Sequence, residues 1–339
     1  MKQVRIHGPG DVRVDDIEPI QPGPRDAVVQ VAACGICGSD LGYVRLGGVA
    51  GPSPEPVPLG HELSGVILRV GSEVTELAPG TRVVLNPMGA GNSIGNGSAQ
   101  GGFTPELLVP NAADGGTLFP IPDSLSFAAA ALAEPLGVGM QAVNRAEVSK
   151  GDKVAIFGAG PIGLMSLATL RFRGIDDVVM LDYSDTRLEV ARTMGARETV
   201  NPGKEETWKR LTELHGTGPW LGMEMPGSDA YIEASGAAPV LTQIIENAKS
   251  DARVSIVALH REPIPVSFLL VMSKQLTLAG SICYPEDYTT MIDMLTKVDL
   301  TPIITHRFPL DEFGDAFAVA NDSNAGAKVM IEVNPNADR

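Results

Sequence analysis

Cysteine is scarce in this 339-residue chain, which has only Cys34, Cys37 and Cys283. An odd count this low excludes a disulfide framework and fits a reducing compartment. Cys34 and Cys37 form a Cys-x-x-Cys, but no second pair follows to complete a zinc knuckle, and the βα context of a thioredoxin-like site is missing. Basic residues are also outnumbered. With 26 Lys and Arg against 41 Asp and Glu, the net charge of −15 argues against a nucleic-acid partner, which needs clustered cations, and disfavours a polyanionic substrate. No apolar run approaches the roughly 20 residues that span a bilayer. Met1 to Ile6 alternates polar and apolar into the turn Gly8-Pro9-Gly10, which is a strand start and not a signal peptide. A cytoplasmic protein with no membrane partner is the expectation.

The length exceeds what one core usually supports and predicts two domains. Up to about residue 85 the chain carries short β patterns at Gln3–Ile6, Val12–Val14, Val28–Ala32, Ser64–Val70 and Arg82–Leu85, with Gly, Pro and Asp between them. Such a pattern predicts a compact β barrel. Met88 to Gly102, rich in Gly, Ser, Asn and Ala without periodicity, reads as a flexible surface loop. Helical character begins behind Ser126, and then strands and helices alternate. Lys153–Phe157, Val178–Asp182, Ala230–Ala234, Arg253–Leu259 and Leu276–Ala279 read as strands, Pro161–Arg173 as a helix, and Ser184 as the cap of another that stops at Gly195. Alternating β and α predicts a doubly wound parallel sheet. The chain then returns to the first domain and ends in a strand near Ala327–Val333.

The strand Lys153–Phe157 runs into Gly158-Ala159-Gly160-Pro161-Ile162-Gly163 and then a helix. In such a turn the first glycine allows the tight bend, the second lets backbone approach a pyrophosphate, and the third lets helix and strand pack closely. The helix N-terminus supplies amide donors to the phosphates. A lone glycine triplet is weak, but here a strand precedes it, a helix follows, and an acid stands about 20 residues on. That acid, Asp182, predicts NAD over NADP, because its carboxylate would accept the ribose hydroxyls and repel a 2′-phosphate. The plainer alternative makes it a cap, although Ser184 and Asp185 already serve there. Arg187 is the nearby residue that could serve a phosphate.

Ahead of that turn stand four metal-capable side chains, Cys37, His61, Glu62 and Glu134. Zinc accepts thiolate, imidazole and carboxylate together, and a catalytic zinc keeps one position open. A polarising metal beside a hydride acceptor points to alcohol oxidation. Each residue alone has a plain reading: a buried Cys as filler, a His as a structural hydrogen-bonder, a Glu as a surface charge.

Gly60-His61-Glu62 with Gly65 and Gly71, Cys37-Gly38-Ser39-Asp40, and Ala133-Glu134-Pro135-Leu136 together resemble the zinc-containing medium-chain alcohol dehydrogenase family. The sorbitol, butanediol and threonine dehydrogenase branch is the most similar. The resemblance runs in order over nearly the whole chain, through Thr305-His306-Arg307-Phe308-Pro309-Leu310. It implies a β-rich GroES-like catalytic domain, residues 1–147 and 281–339, and a Rossmann NAD-binding domain, residues 148–280, with the site in the cleft between them. It implies Cys37 and His61 as constant zinc ligands and Glu62 as a carboxylate that ligates or exchanges with water. Glu134 would be a third ligand or a partner of the metal-bound water, Asp40 would hold the far nitrogen of His61, and Ser39 would be the proton acceptor. It also implies a homodimer or homotetramer.

Two departures stand out. The four cysteines of a structural zinc are missing from residues 86–102, so one catalytic zinc per subunit is expected. Gly42 stands where many relatives carry a relay histidine. Glu106 occupies a position where relatives often have an aromatic pocket residue, which predicts either a polar pocket wall or a solvent-facing strand residue. Tyr43 is a second candidate for the wall. Cys34 and Cys283 are assigned to packing, His7 and His215 to solvent, His260 to cofactor positioning or a turn, and Met223 to Met225 to core or loop packing. The expected reaction is reversible oxidation of a secondary alcohol or polyol to a ketone with NAD. The alternatives are a zinc-free NAD(P)H enone or quinone reductase and a non-catalytic cofactor-binding protein.

Overall fold

The computed structural model describes residues 1–335 and Ala337. The chain divides into two compact units, Met1–Glu134 with Asp287–Arg339, and Pro135–Glu286. The helix Ala133–Arg145 therefore falls mainly with the second unit, whereas the sequence reading kept it with the first.

The first unit is built on a seven-stranded sheet. Its strands run in the order Ile304–Pro309, Lys328–Glu332, Ala27–Gly35, Glu62–Val70, Arg82–Leu85 and Leu118–Pro120, and Glu106–Val109 also pairs with Ala27–Gly35. The first two strands are parallel to each other and the remaining pairs antiparallel. A smaller sheet holds Asp11–Asp16, Lys2–Gly8 and Val57–Pro58. Alternating β-branched and leucine side chains, Val29, Val31, Leu63, Ile67, Val83, Leu107 and Val109, form one buried core. Phe103 and Phe313 meet in it, with ring centroids 4.9 Å apart.

The segment Met88 to Gly102 has no strand, as its composition predicts, but it is anchored and not a free loop. Ile94 lies fully buried in the core, Gly95 N donates to Gln100 O at 2.7 Å, and Tyr43 Oη donates to Asn96 Oδ1 at 3.1 Å.

The second unit is a six-stranded parallel sheet. Its order is Glu198–Val200, Val178–Leu181, Val154–Phe157, Ala230–Glu233, Arg253–Ile256, Thr277–Gly280. This is the doubly wound arrangement, with its direction of winding reversing between Val154–Phe157 and Ala230–Glu233. The central strands are buried throughout, which is why they read as continuous apolar runs. Ser184 accepts from Arg187 N as the N-cap of the helix Asp185–Thr193, as expected. Met223 to Met225 belongs to a hairpin strand, Met223–Pro226, paired with Thr217–Trp220 through a tip at Leu221 and Gly222. Both tip residues have positive φ, 46° and 78°, the geometry of a two-residue hairpin turn. Among the described residues no helix is long and apolar enough to cross a membrane.

Candidate active site

The metal-capable group is assembled by two neighbouring strands and the helix that follows the first of them. Strand Ala27–Gly35 hands the chain to the helix Gly38–Leu46, whose N-cap is Cys37. Asp40, three residues on, accepts from Cys37 N through Oδ2 at 2.9 Å and fixes the first turn. Antiparallel pairing places Glu62 opposite Gly35. The Cys37, His61 and Glu62 ligand atoms then lie within 4.8 Å of one another, the only such group of three or more among the described residues.

Their surroundings are crowded with charge. His61 and Glu62 are buried, and His61 Nε2 lies 3.4 Å from Ser39 Oγ. Asp40 Oδ1 faces His61 Nδ1 at 3.5 Å, a contact too long to count as a hydrogen bond. Burial opposes the charged imidazole, but Asp40, Cys37 and Glu134 outweigh it and His61 is raised well above the ordinary histidine value. Burial likewise raises Asp40, against the pull of His61 and the Cys37 amide. Glu134, half-buried near the start of its helix, is pushed up to about 7 by withdrawal from water, with His61 opposing the shift and Glu62 adding to it. It stands outside the tight trio but close enough to feel it.

Sequence reasoning missed Lys328. This buried lysine ion-pairs with Glu62 Oε2 and donates to Ile36 O at 2.9 Å. Burial alone would lower its pKa, yet Glu62, Cys37 and Glu134 raise it. A signal was available, a lysine at the head of the apolar run Val329-Met330-Ile331. A cation placed there needs a partner. Gly35 makes the contact possible, because a Cβ there would collide with Glu62 Oε2 and lie 2.8 Å from Lys328 Cε.

The donor set suits zinc. Thiolate, imidazole and carboxylate are its usual ligands, and Glu62 Oε1 is a buried oxygen with no hydrogen-bond partner. A buried acceptor left bare is costly unless a cation meets it.

The glycine turn of the second unit is formed as its spacing predicts. Gly158 has φ 103°, which a side chain would resist, and a Cβ on Gly163 would strike Gly158 O. Gly160 caps the helix Pro161–Phe172, with Pro161 at its first position and Ile162 after it. Asp182 accepts from Ala159 N at 2.7 Å through Oδ2 and from Ser184 N at 2.8 Å through Oδ1. Its carboxylate therefore braces the turn, while the cap of the following helix is Ser184 and not Asp182, and each oxygen keeps a second acceptor site. Arg187 Nη1 lies 3.8 Å from the place of a Cβ on Gly160.

Other side chains are placed one by one. Glu106 meets Arg69 Nη2 at 2.6 Å, a contact that accords with the strand-surface alternative. Tyr43 is half-buried, packed on the core of the first unit and bonded to Asn96. His215 is buried, not solvent-facing, with Nδ1 2.7 Å from Ser228 Oγ, while His7 is exposed beside Asp15. Cys34 is core packing as expected, but Cys283, assigned to packing, is exposed, with a left-handed backbone of φ 58°. Lys274 is structural, donating to Ile245 O and Glu246 O.

A model described as zinc-binding dehydrogenase matches residues 161–297, and one described as alcohol dehydrogenase GroES-like domain matches residues 23–123. The chain belongs to the zinc-containing medium-chain alcohol dehydrogenase family, and it is an NAD(P)-dependent oxidoreductase. It is 33% identical to the sorbitol dehydrogenase of Bos taurus, over 98% of this chain and 96% of that one. Among solved structures it resembles 2R,3R-butanediol dehydrogenase from Bacillus subtilis, with 28% identity, a TM-score of 0.86, and 98% and 99% of the two chains covered. A zinc-binding dehydrogenase from Sinorhizobium meliloti bound to NADP shares 28% identity at a TM-score of 0.85, with 98% of each chain covered.

Proposed function

We propose that this protein oxidises a secondary alcohol or polyol to a ketone, reversibly, with NAD as hydride acceptor and one catalytic zinc per subunit. The observation that carries the reading is the convergence of Cys37, His61 and Glu62 donor atoms within 4.8 Å. The naming of similar proteins as sorbitol and butanediol dehydrogenases supports a hydroxyl-rich or vicinal-diol substrate. In this reading the first unit supplies the metal site and the second the cofactor.

A zinc ion held by Cys37, His61 and Glu62 would supply a Lewis acid that makes an alcohol more acidic. Ser39, its Oγ standing beside the imidazole at 3.4 Å, would accept the alcohol proton while passing its own hydroxyl proton on by way of the cofactor ribose toward solvent. Asp40 keeps His61 oriented while holding the helix start. Lys328 balances Glu62 and sets how freely that carboxylate moves. Glu134, near 7, can hold or release a proton beside the group at neutral pH. The turn Gly158–Gly163 would hold the dinucleotide, which would supply the hydride acceptor, and Asp182 would meet its ribose. A second phosphate there would face that carboxylate, which favours NAD, although Arg187 lies close.

The absence of a second cysteine cluster supports a single zinc, and three unpaired cysteines support a cytoplasmic setting. By family habit the protein assembles as a homodimer or homotetramer. The test is NADH formation by zinc-loaded protein over polyols, diols, sugars, amino alcohols and simple secondary alcohols. A hit that Cys37→Ala abolishes is expected. Turnover that survives complete zinc removal would overturn the reading.

A further inference from the structure

Asn96-Gly97 is the only Asn-Gly dipeptide in the sequence. An asparagine followed by glycine can cyclise on itself, because no Cβ shields the next main-chain nitrogen. Every other asparagine among the described residues is shielded or fixed. Asn86, Asn201 and Asn334 precede proline, whose nitrogen carries no proton to give up. Asn144, Asn247 and Asn321 lie in helices. Asn92, Asn111 and Asn324 are followed by serine or alanine, whose Cβ covers the nitrogen.

The local structure adds to that chemistry. Asn96 is half-buried and Gly97 exposed, with φ 101°. The amides of Gly95, Asn96 and Ser98 donate to Gln100 O and Ser93 O, whereas Gly97 N makes no hydrogen bond of ordinary geometry among the described residues. Tyr43 Oη donates to Asn96 Oδ1 at 3.1 Å and draws electron density from Cγ. Such a donor is worth more as the oxygen becomes an oxyanion. Among the described residues Nδ2 donates only to Ile94 O, at 3.3 Å, so little holds the nitrogen that must leave. The same segment lies against the chain that leads into the metal-capable group. Asn96 pairs with Leu59 as an isolated bridge, and a Cβ on Gly95 would strike Gly60 O and lie 3.0 Å from His61 N.

We propose that Asn96 is a modification site that loses its side-chain amide spontaneously, with Tyr43 as the polarising group, and that the isoaspartate formed loosens the loop carrying His61. Gly97 N attacks Asn96 Cγ and forms a C–N bond, and Nδ2 leaves as ammonia with the proton from Gly97 N. Water then opens the five-membered imide. Cleavage at Cγ gives aspartate. Cleavage at the main-chain carbonyl carbon gives isoaspartate, whose main chain runs through Cβ and Cγ and is longer by a carbon. No oxidant or reductant takes part. The longer chain displaces the bridge to Leu59 and the close seat of Gly95 on Gly60. The modification is independent of the proposed reaction, and only its effect on the metal rests on the reading that Cys37, His61 and Glu62 hold zinc.

The experiment ages zinc-loaded protein in warm, mildly alkaline buffer and follows its peptides by mass spectrometry. The peptide containing Asn96 should gain the mass difference between amide and acid ahead of every other asparagine peptide. Labelling by an isoaspartate methyltransferase should map to the same peptide. Asn96→Gln should abolish the gain, and Tyr43→Phe should slow it by about three- to ten-fold. Aged wild-type protein should release zinc to a chelator faster than fresh protein, and aged Asn96→Gln should not. No mass gain at Asn96, or a gain no faster than at Asn92, would overturn the modification site. An undiminished rate in Tyr43→Phe would overturn the part given to its hydroxyl, and isoaspartate without faster zinc release would overturn the effect on the His61 loop. Fresh protein that binds no zinc would instead overturn the metal reading, while the mass gain at Asn96 should persist.

Discussion

Lys328 and Glu62 form a buried ion pair directly over Gly35, in a space that has no room for a methyl group. The lysine thus reaches the metal-capable group from the far end of the chain. Removing one member of a buried pair costs about 3 kcal/mol, because the other is left uncompensated. Lys328→Met should therefore destabilise zinc-free protein by about that amount, and zinc-loaded protein by less, since the ion then faces Glu62. Melting curves with and without chelator check this. An equal drop in both states would show that the lysine acts only as packing.

Gly35→Ala tests the same space from the other side. The added Cβ must displace Glu62 or Lys328, so zinc content should fall well below one per chain while the parallel-sheet unit keeps its NADH binding. Metal analysis beside NADH titration separates the two effects.

Metal stoichiometry follows from the one donor cluster found among the described residues. Purified protein should carry one zinc per chain, lost in Cys37→Ala and kept in Cys34→Ser and Cys283→Ser. Two zinc ions per chain by elemental analysis would contradict the one-site reading.

His215 gives a pH signature that is independent of the metal. Burial, opposed by Asp177 and reinforced by Arg197 and Lys153, lowers it from 6.5 to about 4. The folded state thus resists a proton that the unfolded chain accepts below 6.5. Stability is complete above that pH, falls as pH drops toward 4, and levels off below. The loss amounts to about 2–3 kcal/mol. Denaturant midpoints between pH 7 and 4 should show the fall in wild type and a flatter profile in His215→Gln.

On the cofactor side, Asp182→Asn should narrow the preference for NAD over NADP by about ten-fold, as a charge facing the 2′-phosphate is removed. Both of its oxygens hold backbone amides, so some turn stability should go with it. Ratios of kcat/KM for the two cofactors, beside ADP affinity, distinguish specificity from local damage.

Much of this was legible before the structure, for identifiable reasons. The parallel strands declare themselves because burial on both faces demands continuous apolar residues, and the glycine turn because its spacing has a steric cause. Cys37, His61 and Glu62 could be grouped because all three are metal-capable types that stand in the order of the family the chain resembles, whereas the helix that Cys37 caps shows only in the fold. Lys328 could be marked as a cation in need of a partner, but Glu62 lies so far away in the chain that no local periodicity names it. Glu106 was ambiguous for the opposite reason. Alternation says that a strand residue faces one side or the other, but only the register with Gln30 and the reach of Arg69 decide which. His215 looked like a surface histidine because the hairpin that follows it, made of exposed Leu221 and Met223, gave no apolar pattern.

Cys37 is at once the cap of the helix Gly38–Leu46 and a donor of the metal-capable trio. The first turn of that helix and the ligand sphere therefore share an atom-level hinge, and neither can loosen alone. Withdrawing the ion should register first as faster amide exchange at Ser39, Asp40 and Leu41, well before any global melting. Metal occupancy in this protein then becomes a property that local hydrogen exchange can read, one helical turn at a time.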